Sequence, residues 1–149
     1  PAPPPSTSPP GSAPAPAAAT NSASPTPAAR VPSFQREIVP WMQVHCAEAK
    51  SCHGNQPAWT VELDLRPGAA YKALVNEPAE RRLDTMRVKP GDPDNSFLVA
   101  KLNGRLRPRE GKTMPLDPRT GKPTKPVPED PDFLEHALLP WIRAGAPNN

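Results

Sequence analysis

The stretch that decides the fold is Cys-Ala-Glu-Ala-Lys-Ser-Cys-His-Gly, which occupies residues 46–54. It contains both cysteines of the chain, Cys46 and Cys52, and His53 directly follows the second. Two thiols this close in sequence can close a disulfide, which suits an exported protein but constrains the unfolded chain only modestly. A structural zinc site would need four ligands, and the chain has no second cysteine pair to supply them.

The order of these residues also matches a cofactor-attachment signal, with a wider spacing. In the sequence C-x-x-C-H each thiol adds to a vinyl group of a c-type haem and the adjacent histidine binds the iron. Here the second thiol lies six positions after the first, which on an α-helix is an advance of about 9 Å and a rotation of about 240°. The insert 47–51 must therefore bulge outward. On this interpretation Cys46 and Cys52 anchor one haem c covalently, and His53 is the proximal iron ligand.

Proline divides the chain of 149 residues into two parts. Ten of its 26 prolines fall in the first 30 positions, and residues 1–29 contain only Pro, Ala, Ser, Thr, Gly and Asn. Such a segment cannot bury enough apolar surface to offset its ordering entropy. We expect residues 1–32 to form a disordered Pro/Ala/Ser-rich tether and residues 33–149 to form one small domain.

The charge balance and the start of the chain indicate partners and location. The chain has 18 Lys and Arg against 15 Asp and Glu, and basic residues scattered among acidic ones argue against a nucleic-acid surface. No run approaches 18 apolar residues, so we expect no transmembrane segment. The chain begins at Pro1 rather than at an initiator methionine, which indicates that either a signal peptide or the boundary of an expressed segment lies upstream. We expect an exported protein, periplasmic or at the cell surface, with an upstream lipid anchor as a way to tether it to a membrane.

Hydrophobic periodicity predicts an all-α domain with four short helices. They are expected at residues 33–46, 68–76, 96–102 and 132–143. A single extended segment at 59–65 has no partner strand, and the loop 104–129 is polar and rich in Gly and Pro. Because the apolar stripes supply few large side chains, the domain needs an additional apolar body, a metal or a staple.

Four further segments accompany the motif at 46–54. They are Leu63-Asp-Leu-Arg66 with Tyr71 following, Val88-Lys-Pro-Gly-Asp-Pro-Asp-Asn-Ser-Phe-Leu98, Gly111-Lys-Thr-Met-Pro115 and Trp141-Ile-Arg-Ala-Gly-Ala146. With that motif they resemble the monohaem class I cytochrome c domains, in particular exported bacterial ones with widened cysteine spacing. The resemblance implies a helical fold around one covalent haem, with Met114 as the distal iron ligand. It also implies that the first and last helices cross where Phe34 or Trp41 meets Trp141.

Met114 also stands out on its own chemistry. It lies in a polar loop, where a flexible apolar thioether has little packing reason, and an iron held by His53 explains it. A porphyrin plate would also complete the core. The apolar residues expected around it are Val44, Trp59, Leu63, Leu65, Leu74, Phe97, Leu98 and Leu102. Trp59, Arg66 and Tyr71 are the polar-tipped side chains suited to hydrogen-bond the propionates.

The resemblance implies an electron carrier rather than an enzyme. With His53 and Met114 on the iron, no open site remains for oxygen or peroxide, and thioether ligation raises the reduction potential. The expected partners are redox proteins, a donor and an acceptor, that dock transiently. Two other classes stay open: a haem-free, disulfide-closed extracellular interaction domain, and a haem enzyme or gas sensor with a displaceable distal ligand.

Overall fold

The structure, a computed structural model, describes residues 1–2, 30–47, 52–54, 63–124 and 132–149. Most of the predicted tether, 1–32, lies outside these ranges, so its disorder stays a prediction. At its end Arg30 forms an ion pair with Glu37 at 2.7 Å, and Pro32 is fully buried. Pro32, the last residue of the predicted tether, therefore packs against the domain.

The first helix contains a proline without being interrupted by it. Its first part, Phe34–Ile38, is π-helical, and it continues directly as the α-helix α1, Val39–His45. Pro40 lacks an N–H and would clash with the carbonyl four residues back in a regular α-helix. The wider π turn, in which the Val39 N–H donates to the Phe34 carbonyl, accommodates the proline ring. The helix predicted here is confirmed.

Two shorter helices follow in the middle of the domain. The helix α2 spans Ala70–Leu74, and α3 spans Phe97–Asn103. The end of α3 is set by Gly104, whose φ of 70° lies in the left-handed region that helix C-caps use. Both helices occur where the hydrophobic pattern predicts them, and α2 is shorter at each end.

A β-hairpin lies between α2 and α3, and it makes the prediction of an all-α domain wrong. The strand β1, Pro78–Ala79, pairs antiparallel with β2, Arg82–Met86. Buried apolar residues do not alternate along β2, so its sequence has no strand pattern. Tertiary contact holds the hairpin instead, because the buried Ala79 packs against Phe97 of α3. The described residues therefore form a small mixed domain of short helices and one two-stranded sheet.

The last helix is built like the first. It starts as a π-helical segment, Phe133–Leu138, and continues as α4, Leu139–Arg143, with Pro140 at the second α-helical position. The Leu139 N–H donates to the Leu134 carbonyl five residues back, so the wider turn again makes room for a proline ring. This confirms the helix predicted at 132–143.

Aromatic stacking joins the first and last helices. Phe34 stacks on Trp141 with ring centroids 5.1 Å apart, and Tyr71 packs edge-on against Phe34 at 5.2 Å. The expected crossing through Phe34 and Trp141 is confirmed. Trp41 has a different partner, since it stacks on Phe133 with centroids 3.9 Å apart. Other buried members of this core are Ile38, Met42, Leu65, Leu74, Val88, Leu102, Leu138 and Ile142.

Hydrogen bonds also join the two ends of the domain. The Ser33 hydroxyl donates to the Asn149 carbonyl at 2.7 Å, and the Phe34 N–H donates to Asn149 Oδ1 at 2.9 Å. The Gln35 N–H donates to the Asn149 carbonyl at 3.0 Å. Asn149 thereby satisfies N–H groups that the start of a helix leaves without partners.

The long loop is a succession of turns over its described part. We call residues 105–124 the strap. An antiparallel bridge joins Leu116 to Pro123 within it, and the Asp117 N–H donates to the Lys122 carbonyl at 2.9 Å. The extended segment predicted at 59–65 lies outside the described residues except for its last three. Among the helices that the structure describes, none has the length and apolarity needed to cross a membrane.

Candidate functional site

A cavity of about 550 Å³, partly open to solvent, is lined by the end of α1, the hairpin, α3 and the strap. Its volume lies within the range of about 300–1,000 Å³ that organic ligands and cofactors occupy. Cys46, Cys52, His53 and Met114 all line it. The four residues expected to hold one haem therefore share a single cavity, although two separate segments of the chain supply them.

The cavity walls are largely apolar. Six of the residues expected to surround the haem line it: Leu63, Leu65, Leu74, Phe97, Leu98 and Leu102. Val44 does not belong to this set, because its side chain is 60% exposed, and Trp59 lies outside the described residues. Such walls would exclude water from a bound ligand, which strengthens electrostatic interactions inside the cavity.

His53 is held in one tautomer by a backbone contact. Its Nδ1 lies 3.1 Å from the Leu63 carbonyl oxygen. Because that oxygen only accepts, the bond requires the proton on Nδ1, and the lone pair of Nε2 stays available to a metal. Burial lowers the pKa of His53, and the charges of Lys101 and Arg87 lower it further. The imidazole is therefore neutral, as a metal ligand must be.

The two cysteines are both free thiols. The His53 N–H donates to the Cys46 carbonyl at 2.9 Å, so the residues on either side of the insert are in direct contact. Gly54 lies where no side chain fits, since a Cβ there would be 2.0 Å from the Ala47 carbonyl oxygen. Burial raises the pKa of Cys46 to about 12, with a smaller contribution from Cys52. Cys46 is therefore a neutral thiol in an apolar setting.

Met114 connects the strap to the cavity. Its side chain is partly buried against the main core and lines the cavity. Its N–H donates to the Lys101 carbonyl of α3 at 2.9 Å. The packing reason that the sequence did not provide is thus contact with the cavity, where a thioether could act as a soft, uncharged ligand.

A buried ion pair anchors the strap to the hairpin. Glu110 is only 4% exposed, and it accepts from Arg82 Nε at 2.7 Å and from Arg82 Nη2 at 2.5 Å. The Arg107 N–H donates to the same carboxylate at 2.7 Å. These donors, Arg82 first, lower the pKa of Glu110 to about 2. A buried carboxylate with matched donors fixes the strap in one arrangement.

Cationic side chains that the sequence pattern did not indicate as site residues also line the cavity. They are Arg81, Arg87, Lys101 and Lys112. Arg87 donates to the Ala73 carbonyl at 2.8 Å and pairs with Glu80 at 2.7 Å. Burial lowers the pKa of Lys101, which stands four positions after Phe97 on the same face of α3. This spacing from Phe97 is the sequence feature that predicts Lys101 on the cavity side of α3.

The three residues expected to contact propionates are placed differently. Arg66 pairs with Asp64 at 2.7 Å, and the Tyr71 hydroxyl donates to the Ala146 carbonyl at 2.9 Å. Neither residue lines the cavity. Trp59 lies outside the described residues. Tyr71 instead ties the middle of the domain to the segment that follows the last helix.

The cavity thus combines two thiols, a neutral imidazole and a thioether with apolar walls and several cations. An imidazole with a thioether is a ligand pair that binds haem iron. In residues 30–47, 52–54, 63–124 and 132–149, no three His, Cys, Asp or Glu side chains gather as a metal site. Compared with known proteins, the chain matches no protein family, no curated protein and no solved structure.

Proposed function

We propose that this chain is an exported c-type cytochrome, not an enzyme, which carries single electrons through one covalently bound haem. The observation that carries the proposal is that Cys46, Cys52, His53 and Met114 line one apolar cavity. These residue types attach haem c and bind its iron. Apolar packing alone would not select two thiols, an imidazole and a thioether for the same cavity.

The thiols would form the covalent attachment. Each S–H adds across a vinyl group, so a C–S bond forms at one carbon and the thiol proton ends on the other. The step needs no oxidant, and both thiols are free for it. The bond between the His53 N–H and the Cys46 carbonyl supports a joint role, because it brings the two halves of the motif together.

The imidazole of His53 and the thioether of Met114 would hold the iron of the haem. When bound, the haem supplies a one-electron couple between ferric and ferrous iron. Burial lowers the pKa of His53 and favours the neutral imidazole, the bond to Leu63 leaves Nε2 available, and the sulfur of Met114 would favour the ferrous state. Two protein ligands leave no site for oxygen or peroxide. The cation Arg87 suits acidic substituents of the group.

Transient docking to redox proteins, a donor and an acceptor, belongs to the same proposal. Arg119 and Lys122 are exposed on the strap that carries Met114. Exposed charges of this kind raise association rates more than affinity. The Pro/Ala/Ser-rich segment 1–32 suits a spacer between a redox domain and a membrane, so we include a periplasmic or cell-surface location and an upstream lipid anchor.

The experiment is a pyridine haemochrome spectrum of protein produced in a bacterial periplasm with the haem-attachment machinery. Each thioether removes a vinyl group from conjugation and moves the main band to shorter wavelength. We expect the spectrum of two thioethers for the wild type and of one thioether for Cys46→Ala and for Cys52→Ala. A wild-type protein without haem would overturn the proposed function.

The distal ligand has its own test. Met114→Ala should remove the weak sulfur-to-iron absorption band of the ferric protein and allow cyanide to bind. Met86→Ala is the matched control, because Met86 is 37% exposed and does not line the cavity. A band that persists in Met114→Ala would show that another residue ligates the iron.

A further inference from the structure

Lys101 of α3 contacts the strap at three points. Its Nζ donates to the Glu110 carbonyl at 2.7 Å and to the Lys112 carbonyl at 3.0 Å. Its own carbonyl accepts the Met114 N–H at 2.9 Å. One residue of a helix therefore holds both ends of the segment 110–114, and the expected distal ligand stands at one of those ends.

Gly111 lies between the two carbonyls that bind the ammonium, and its backbone fits that role. Its φ of 87° belongs to the region that favours glycine, and a Cβ there would lie 3.1 Å from Lys101 Nζ. The backbone can therefore come close to the cation at this position. The strap is shaped around the Lys101 ammonium, rather than merely passing near it.

The far end of the same segment is held by the ion pair of Glu110 with Arg82. The Arg82 guanidinium lies 5.0 Å from the centre of the Phe97 ring, and Lys101 Nζ lies 5.5 Å from it. Phe97 also lines the cavity. These contacts form one connected cluster that joins the hairpin, α3 and the strap, and the main chain of Met114 is bonded to it.

We propose that Lys101 is the positioning residue of Met114, and that the pair of Arg82 and Glu110 steadies the same anchor from the hairpin. The inference rests on the proposed function, because it concerns how the distal ligand is presented. Lys101 acts through the backbone of 110–114 and does not itself ligate the iron. A thioether held in this way needs less ordering when it binds, and a pre-ordered ligand binds more tightly.

The experiment compares Lys101→Leu with Lys112→Leu in the haem-loaded protein. Lys101→Leu removes the ammonium and keeps the backbone carbonyl that bonds to Met114. Lys112 also lines the cavity, but its Nζ donates to the Gly121 carbonyl at 2.7 Å, so its replacement removes a similar charge without the anchor. We expect Lys101→Leu to bind cyanide about tenfold or more tightly and to lose most of the sulfur-to-iron band. Because Lys112 lines the same cavity, Lys112→Leu should also change both values, but by much less than Lys101→Leu.

A second readout does not depend on haem. Amide hydrogen exchange at Met114 reports how often its bond to the Lys101 carbonyl opens. Protection of this amide should fall about tenfold or more in Lys101→Leu, while amides of the last helix keep their protection. If the wild type contains no haem, the proposed function fails, and this exchange measurement still judges the role of Lys101.

The outcomes separate the two ideas. A wild-type band and unchanged protection of the Met114 amide in Lys101→Leu would overturn the positioning role, even when haem is present. Equal losses in Lys112→Leu would also overturn it, because the effect would then follow from charge alone. If Lys101→Leu does not fold, Lys101→Gln shortens the side chain and keeps an amide donor. It is expected to reduce both signals, and unchanged signals would contradict the proposal.

Discussion

The crossing of the first and last helices and the strap are stabilised in opposite ways. At the crossing, Phe34 and Trp141 stack and are almost completely buried. The apolar contacts of the strap come from partly buried residues such as Leu106 and Met114, and polar bonds from Lys101 and Arg82 fix it. Apolar packing depends on buried area and has little directionality, whereas ion pairs and hydrogen bonds depend on geometry.

This difference fits what each region does in the proposed cytochrome. The contact between the first and last helices must keep its geometry whatever the cavity binds, and stacked aromatic rings provide this rigidity. The strap must present one sulfur atom, that of Met114, at a defined place. Directional bonds to a carboxylate and to backbone carbonyls provide such a position without a core of their own. Perturbing each region should therefore give a different kind of defect.

The largest effect is expected at the crossing. Trp141 is completely buried and its Nε1–H donates to the Pro147 carbonyl at 2.8 Å. Trp141→Ala leaves a cavity and an unpaired acceptor, so the free energy of unfolding should fall by about 3–5 kcal/mol. Denaturant unfolding followed by circular dichroism measures it. Leu83→Ala is the control, because Leu83 is 84% exposed and should change stability by less than about 0.5 kcal/mol. Equal losses of unfolding free energy in the two variants would contradict the claim that buried aromatic packing stabilises the crossing.

The next effect concerns the strap and depends on pH. Because Arg82 lowers the pKa of Glu110 from 4.5 to about 2, the folded state is stabilised above pH 4.5. That stabilisation is lost as pH falls from 4.5 to 2, since the unfolded chain binds the proton first. Glu110→Gln should be less stable at neutral pH and should lose less stability over this acid window. Urea unfolding across pH checks it, and a variant curve parallel to the wild type would show that the pair does not govern the strap.

The smallest effect separates backbone strain from contact with Lys101. Gly68 and Gly111 have φ values of 84° and 87°, but only Gly111 would bring a Cβ near another side chain. Gly68→Ala should cost about 1–2 kcal/mol from strain alone. Gly111→Ala should cost about 0.5–1.5 kcal/mol more, because the displaced ammonium weakens its hydrogen bonds. Thermal unfolding of the two variants gives the difference, and equal losses would mean that the contact is unimportant.

The grouping of Cys46, Cys52, His53 and Met114 around one cavity was more predictable from sequence than the fold class. The segment 46–53 carries its chemistry locally, and Met114 is conspicuous because its polar loop gives a thioether no packing partner. Their presence on one cavity agrees with those local signals. The hairpin gave no such signal, because β2 is Arg-Leu-Asp-Thr-Met and its formation depends on packing of Ala79 against α3.

Partner choice among polar side chains could not be predicted in the same way. Arg66 and Tyr71 have the right chemistry for a propionate, but Arg66 pairs with Asp64 two residues away. Tyr71 bonds to the Ala146 carbonyl, 75 positions distant. Asp64 and the Ala146 carbonyl thus accept the hydrogen bonds that the sequence pattern predicts for haem propionates. Only the three-dimensional arrangement decides between them, and it brings Lys101 to the cavity instead.

The most direct test of the central claim is the intact mass of the denatured, periplasmically produced protein. A denatured chain retains a haem only if covalent bonds hold it. The account predicts the mass of the polypeptide plus one haem for the wild type, and the polypeptide mass alone for the double variant of Cys46 and Cys52 to Ala. A wild-type mass equal to the polypeptide, or lower by the two hydrogens of a disulfide between Cys46 and Cys52, would contradict it.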